Sequence, residues 1–288
     1  MTQDRLPFAQ EFFHSSPSPF FRIVVPYSES GRRSKKPMST EKAAAIVLRT
    51  IDFSETSLVV TFFTREFGKV GALAKGARRI KGPFESALDL LALCRIVFLR
   101  KSSESLDLVT EAKLVRRFRP AGKDLAGLYG GYYVAELLDT LTHDYAASPE
   151  LFDLADQTLA ELATGVAVGK CVARFELGLL RLLGLLPSLD RCADCGEPVQ
   201  AAGRVRFAHL DGGVICDGCR EGKSRVASVG ASVVRAMTRL AETDDPSWRQ
   251  LEIDPRTGGE LRGVLSHYVA HLLGRKPRMH AYLKWTTT

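Results

Sequence analysis

From residue 41 to 117 the chain reads as short runs rich in β-branched and aromatic side chains, at 43–49, 58–63, 69–74, 94–99 and 106–115. Turn-formers separate them: Asp52 to Glu55, Glu66-Phe-Gly68, Gly76, Gly82-Pro83 and Ser102-Ser103. Five such runs predict a small all-β unit. An OB-fold and a five-stranded SH3-like barrel would give the same pattern, and the breaker-rich excursion after the third run fits the OB-fold. Beyond Pro120 and Gly122 the period changes to that of helices. One helix runs from Leu125 to about Thr142, and Ser148-Pro149-Glu150 starts a second, with serine as cap and proline in the first turn. A third, 168–186, is apolar on nearly every side and ends at Pro187, so it is either the central helix or partly a docking surface. Two further amphipathic helices are expected at 228–241 and 258–273. The fold class expected is α+β and multidomain. It comprises an N-terminal tail over 1–38, an OB-fold barrel over 39–120, a helical domain over 121–191 and 226–288, and an insert over 192–225.

The tail is rich in breakers and charge, and Met38, where the patterned region begins, is a candidate translation start. At 288 residues and 45% hydrophobic the chain can bury a sizeable core. Its net charge of +7 favours polyanionic partners, and the spread of charge is more telling than the total. Fifteen Lys and Arg stand against nine acids from 39 to 120, but five against ten from 121 to 191. Different partners, or one partner on one side, is the simplest implication. No run of about eighteen apolar residues predicts a membrane span, and the N-terminus has no apolar signal-peptide core, so the expected location is cytoplasmic and nucleoid-associated.

Cys192-Ala-Asp-Cys195 and Cys216-Asp-Gly-Cys219 have the spacing of a single tetrahedral metal site on two knuckles. Four thiolates leave no position for a reacting water, so one structural Zn2+ is expected; two disulfides or four unrelated thiols are the alternatives. His209 is expected on the surface of the ribbon between the pairs. His267 and His271, four apart, read as a helix-face pair. Asp153 and Asp156 read as solvated charge. Neither Gly71 to Gly76 nor Gly165 to Cys171 completes a phosphate-binding loop, and no deaminase or hydrolase signature occurs. No catalytic residue is assigned.

The excursion Lys75-Gly-Ala-Arg78-Arg79-Ile-Lys81-Gly-Pro-Phe84 places four cations beside glycines that let a backbone approach a ligand. Small barrels hold single strands by pairing a cationic groove with stacking rings. Phe62, Phe63, Phe67 and Phe84 are the rings at hand, although alternation turns some of them into the core. Arg116, Arg117 and Arg119 add cations where the barrel closes.

The order of these motifs resembles the RecO family of DNA repair proteins over about residues 39–280. The likeness is carried by Gly68-Lys-Val, Lys75-Gly-Ala-Arg-Arg79, Phe175-Glu-Leu-Gly-Leu-Leu-Arg-Leu-Leu-Gly-Leu-Leu-Pro187, Cys192-x-x-Cys195-Gly and Gly212-Gly-Val-Ile-Cys216-x-x-Cys219. The resemblance implies an OB-fold on a helical body with a zinc-binding insert and no enzymatic turnover. It implies binding of single- and double-stranded DNA, strand annealing, contacts with RecR and with the C-terminal tail of the single-strand binding protein SSB, and help to RecA in gap repair. It places Lys75, Arg78, Arg79 and Lys81 in a DNA-binding hairpin and the four cysteines at zinc. An SSB-tail pocket on the helical body would draw on Arg174, Leu179, Leu180, Arg181 and Leu183. A zinc-ribbon RNA-binding or ribosome-associated module and a metal-dependent nuclease are the alternatives that the residues alone leave open. No membrane and no small-molecule substrate is expected.

Overall fold

The computed structural model describes residues 39–79, 84, 87–101, 105–121, 125–165, 167–283 and 285. The expected tail and Lys81 lie outside the described residues. Strands β1 (Ser39–Asp52), β2 (Leu58–Thr64), β3 (Gly68–Ala74), β4 (Leu93–Arg100) and β5 (Asp107–Arg116) close a barrel in the order β1-β2-β3-β5-β4. All neighbours are antiparallel except β3 and β5, which pair in parallel from Ala72 opposite Asp107 to Ala74 opposite Val109. That order, with one parallel pair closing a Greek key, is the OB arrangement.

At 14 residues, β1 is twice the length of β2 because it serves both sides of the closure. Ser39 to Ile46 pair with β4 and Ala45 to Asp52 with β2, and the register shifts between Val47 and Arg49 where the strand must bend. Val60, Phe62, Val70, Ala72, Ile96, Phe98 and Val109 point inward and form the barrel core. Cys94 joins them, and burial pushes its thiol up to about 12.

Helices α1 (Leu125–Leu141), α2 (Pro149–Thr164), α3 (Val168–Leu182), α4 (Ala231–Ala241) and α5 (Pro255–Leu273) make the helical body. From Val168 to Leu180 every residue of α3 except Lys170 is buried, so this is the central helix and not a docking surface. Its one acid, Glu176, is fully buried. Arg262 of α5 reaches both of its oxygens at 2.7 Å, and the Tyr133 hydroxyl of α1 donates to it at 2.5 Å. Burial alone would lower the Arg262 pKa, but the Glu176 carboxylate raises it instead. The ion pair thereby ties three helices together at one point.

Barrel and helices share a core. Phe63, on the outer face of β2, stacks on Phe152 of α2 with ring centroids 6.3 Å apart, and Ile46, Leu48 and Leu91 join the same cluster. No described helix is long and apolar enough to cross a membrane.

Several expected boundaries move: β1 is longer at both ends than 43–49, α5 starts at Pro255 rather than 258, and two further shifts have a plain local cause. α3 ends at Leu182, well before Pro187, because Gly184 takes a φ of +70°. The N–H of Leu185 then bonds the Leu180 carbonyl and the N–H of Gly184 that of Arg181, the pattern of a Schellman cap. The helix expected from Ser228 starts only at Ala231; Val226–Gly230 is instead β8, paired with β6 (Arg204–Ala208). With β7 (Gly213–Ile215) these form a three-stranded sheet in the order β7-β6-β8.

Candidate metal centre and nucleic-acid interface

Cys192 and Cys195 lie before this sheet, and Cys216 and Cys219 follow β7. Gly196, at φ +76°, turns the first knuckle so that its N–H bonds the Cys192 carbonyl at 2.9 Å. The four sulfurs lie within 4.8 Å of one another, and Cys195 Sγ is 3.8 Å from Cys216 Sγ. That spacing is far beyond a disulfide and suits thiolates around a shared tetrahedral ion. Burial pushes the Cys192 thiol up, but the N–H groups of Cys195, Cys216 and Asp194 outweigh it and bring it down to about 6. Three ion pairs brace the knuckles: Lys223 reaches Asp211 at 2.5 Å and Asp194 at 3.3 Å, and Arg206 meets Asp217. The four cysteines therefore cluster where a metal ion would bind.

His209 is not a surface residue of the ribbon. It is 9% exposed, packs against Phe207 and His267, and its Nδ1 has no hydrogen-bond partner among the described residues. Burial, and then His267 and His271, hold its pKa down. His267 turns its Nδ1 to its own helix, 2.8 Å from the Gly263 carbonyl.

Apart from Lys42, Arg49, Arg95 and Lys113, which are exposed along the strands, two groups of the barrel's cations contrast. At the end that meets the helices they are answered internally. Arg65 grips Asp153 through two bonds of 2.9 Å, and Arg116 pairs with Asp156. Lys69 donates to the Asp139 carbonyl at 2.8 Å and lies 3.6 Å from Asp144. Asp153 and Asp156 are thus partners of the barrel rather than solvated charge, and part of the charge asymmetry is the two halves of the chain complementing each other. Arg117 lies 3.6 Å from Asp89, while Arg119 is exposed.

At the opposite end, Lys75, Arg78 and Arg79 stand exposed on the turn that leaves β3. Arg78 pairs with Asp52 at 3.1 Å. Lys75 and Arg79 have no ion-pair partner among the described residues.

The four rings at hand for stacking are packed inside, as alternation leads one to expect of strand phenylalanines. Phe62 and Phe63 are fully buried, Phe84 is 3% exposed, and Phe67 is half-buried with its ring edge-on to Phe98. An exposed ring does exist nearby: Phe53, in the turn between β1 and β2. The readable signal was a lone phenylalanine inside a stretch of turn-formers, where a strand core has no use for it.

The residues named for an SSB-tail pocket do not line one. Leu179 and Leu180 are fully buried, and Arg174 is 3% exposed, stacked over Trp248 and donating to the Thr243 carbonyl. Central position in the core removes them from any partner's reach. Arg181, paired with Glu242, is exposed, and Leu183 is half-buried.

Comparison with known proteins agrees with this arrangement. The family described as recombination protein O N terminal matches residues 38–118, and recombination protein O C terminal matches 122–280. The DNA repair protein RecO of Rhodopirellula baltica is 39% identical over 262 residues, spanning 83% of this chain and 97% of that protein. Those of Anaeromyxobacter dehalogenans strain 2CP-1 (35% over 246 residues, 85% and 96%) and Moorella thermoacetica (32% over 243 residues, 84% and 90%) are similar. Both halves of the chain are matched in order, and relatives are covered almost end to end: the chain belongs to the RecO family of DNA repair proteins.

Proposed function

We propose that this chain is a DNA-binding recombination mediator, a scaffold without turnover of its own. It holds single- and double-stranded DNA at the free end of the barrel and anneals complementary strands. With RecR, and with SSB through the SSB C-terminal tail, it helps load RecA at gaps. The observation that carries the reading is the turn after β3, where Lys75 and Arg79 face outward with no described counter-charge while Arg65 and Arg116 are neutralised internally. Cations kept free in this way neutralise phosphates and release counter-ions, so binding and annealing fall steeply with salt. Phosphate contacts leave the base edges free to pair with a second strand. The name DNA repair protein carried by the relatives supports the same reading.

The cysteine cluster would hold one structural Zn2+ through Cys192, Cys195, Cys216 and Cys219, fixing the ribbon that follows α3. The test of the whole reading is annealing of two complementary labelled oligonucleotides, one pre-coated with SSB, by zinc-loaded protein without ATP. Acceleration that depends on the SSB tail is expected. No acceleration with intact or tailless SSB overturns the mediator role, and a preference for RNA of equal length favours the RNA-binding alternative.

A further inference from the structure

We propose that Phe53 is a base-stacking platform, the ring through which the free end of the barrel distinguishes unpaired nucleotides from duplex. This deepens the DNA reading above and rests on it. Phe53 is 64% exposed, more than any other large apolar side chain among the described residues. Strand register places it beside the cationic turn: Asp52 of β1 lies opposite Leu58 of β2, and Leu58 lies opposite Ala74 of β3. Turn 53–57 and turn 75–79 therefore leave the barrel at the same end.

The two turns are joined to each other. The Arg78 N–H donates to the Thr56 carbonyl at 3.1 Å, and the Arg78 guanidinium meets Asp52 at 3.1 Å. Inside its own turn the Phe53 N–H bonds the Ser57 carbonyl at 3.0 Å, and that of Ser54 bonds the same oxygen at 3.3 Å. These bonds hold the backbone beneath the exposed ring. Asp52 and Glu55 also face this end, but Asp52 is answered by Arg78, which leaves Lys75 and Arg79 against Glu55.

The rest of the barrel narrows the choice further. OB-folds bind oligonucleotides on the face of strands two and three and on the loops beside it. Here most of that face is occupied by the protein itself. Phe63 is covered by Phe152, Lys69 is held by α1, and at Gly71 even an added Cβ would lie 3.3 Å from the Leu106 side chain. On that side of the barrel a strand is left with the turn end, where the cations meet phosphates and Phe53 offers the exposed ring. Phosphate contacts do not sense whether base faces are stacked; a stacking ring favours bases whose faces are free.

The test measures affinity of the full, zinc-loaded chain for a thymidine oligonucleotide and for an abasic oligonucleotide of equal length across a salt series. Phe53→Ala is expected to weaken thymidine binding roughly 5- to 150-fold, the scale of one stacked base, with the salt slope and the abasic affinity unchanged. Phe53→Trp is expected to restore binding, and its emission to be quenched by the thymidine strand but not by the abasic one. The chain's own Trp248, 1% exposed, and Trp285, half-buried, also emit, so the wild-type chain titrated with each strand supplies the background to subtract. Equal affinity of Phe53→Ala and wild type for the thymidine strand overturns the proposal while leaving the DNA reading intact, and so does an equal loss on both strands. A wild-type chain that binds neither strand overturns the DNA reading and the ring's role together.

Discussion

The two ends of the barrel carry similar side chains and use them differently. At the docked end, Arg65, Arg116 and Lys69 meet Asp153, Asp156 and Asp139 or Asp144, and the bonds join strands to helices. At the free end, Lys75 and Arg79 face solvent beside an exposed phenylalanine. Net charge over residues 39–120 cannot separate these groups, because it counts an arginine that holds the fold the same as one that waits for a ligand. What separates them is whether an acid elsewhere in the chain reaches them.

Perturbations graded by size sharpen that division. The largest effect is expected at the ribbon, which belongs to neither end. Cys216→Ser should lose the metal and lower the melting temperature strongly, since structural zinc sites in small peptides contribute on the order of 10 kcal/mol to folding. Metal analysis together with thermal unfolding checks this. Next comes the body onto which the docked end packs. Glu176→Ala leaves Arg262 buried and unpaired, and denaturant unfolding should register a loss of about 3–5 kcal/mol. DNA affinity measured under folding conditions should stay the same. Smaller still is the docked end itself. Arg65→Ala with Arg116→Ala removes exposed pairs, which contribute little individually, so a small drop in melting temperature and wild-type DNA binding are expected.

The sequence carried most of the outline. Five strands, the helical order and the four cysteines were legible because each depends on local periodicity or spacing. The end of α3 was missed because Pro187 is the louder breaker, yet Gly184 comes first and supplies the positive φ that a Schellman cap requires. Ser228 to Gly230, the last three residues of β8, have no alternation of their own and merge into the helical pattern; pairing with Arg204 to Arg206 decides their state. Glu176 was visible as the one acid in an apolar helix, a sign of a buried partner, but Arg262 lies 86 residues away and periodicity does not name it. At the candidate interface, the cations of the β3 turn were legible and the aromatic ring was not. Phenylalanines in strands drew attention, whereas alternation and the docked helices bury them, and the ring left outside sits in a turn.

The most direct test of the division between the ends is a salt titration of single-strand DNA affinity for three proteins: wild type, Lys75→Ala with Arg79→Ala, and Arg65→Ala with Arg116→Ala. The free-end variant should bind more weakly, with the slope of log affinity against log salt flattened by about 1.4, the equivalent of two phosphate contacts on a single strand. The docked-end variant should keep the wild-type slope. The reverse pattern, a flattened slope from the docked end and none from the free end, would contradict the account.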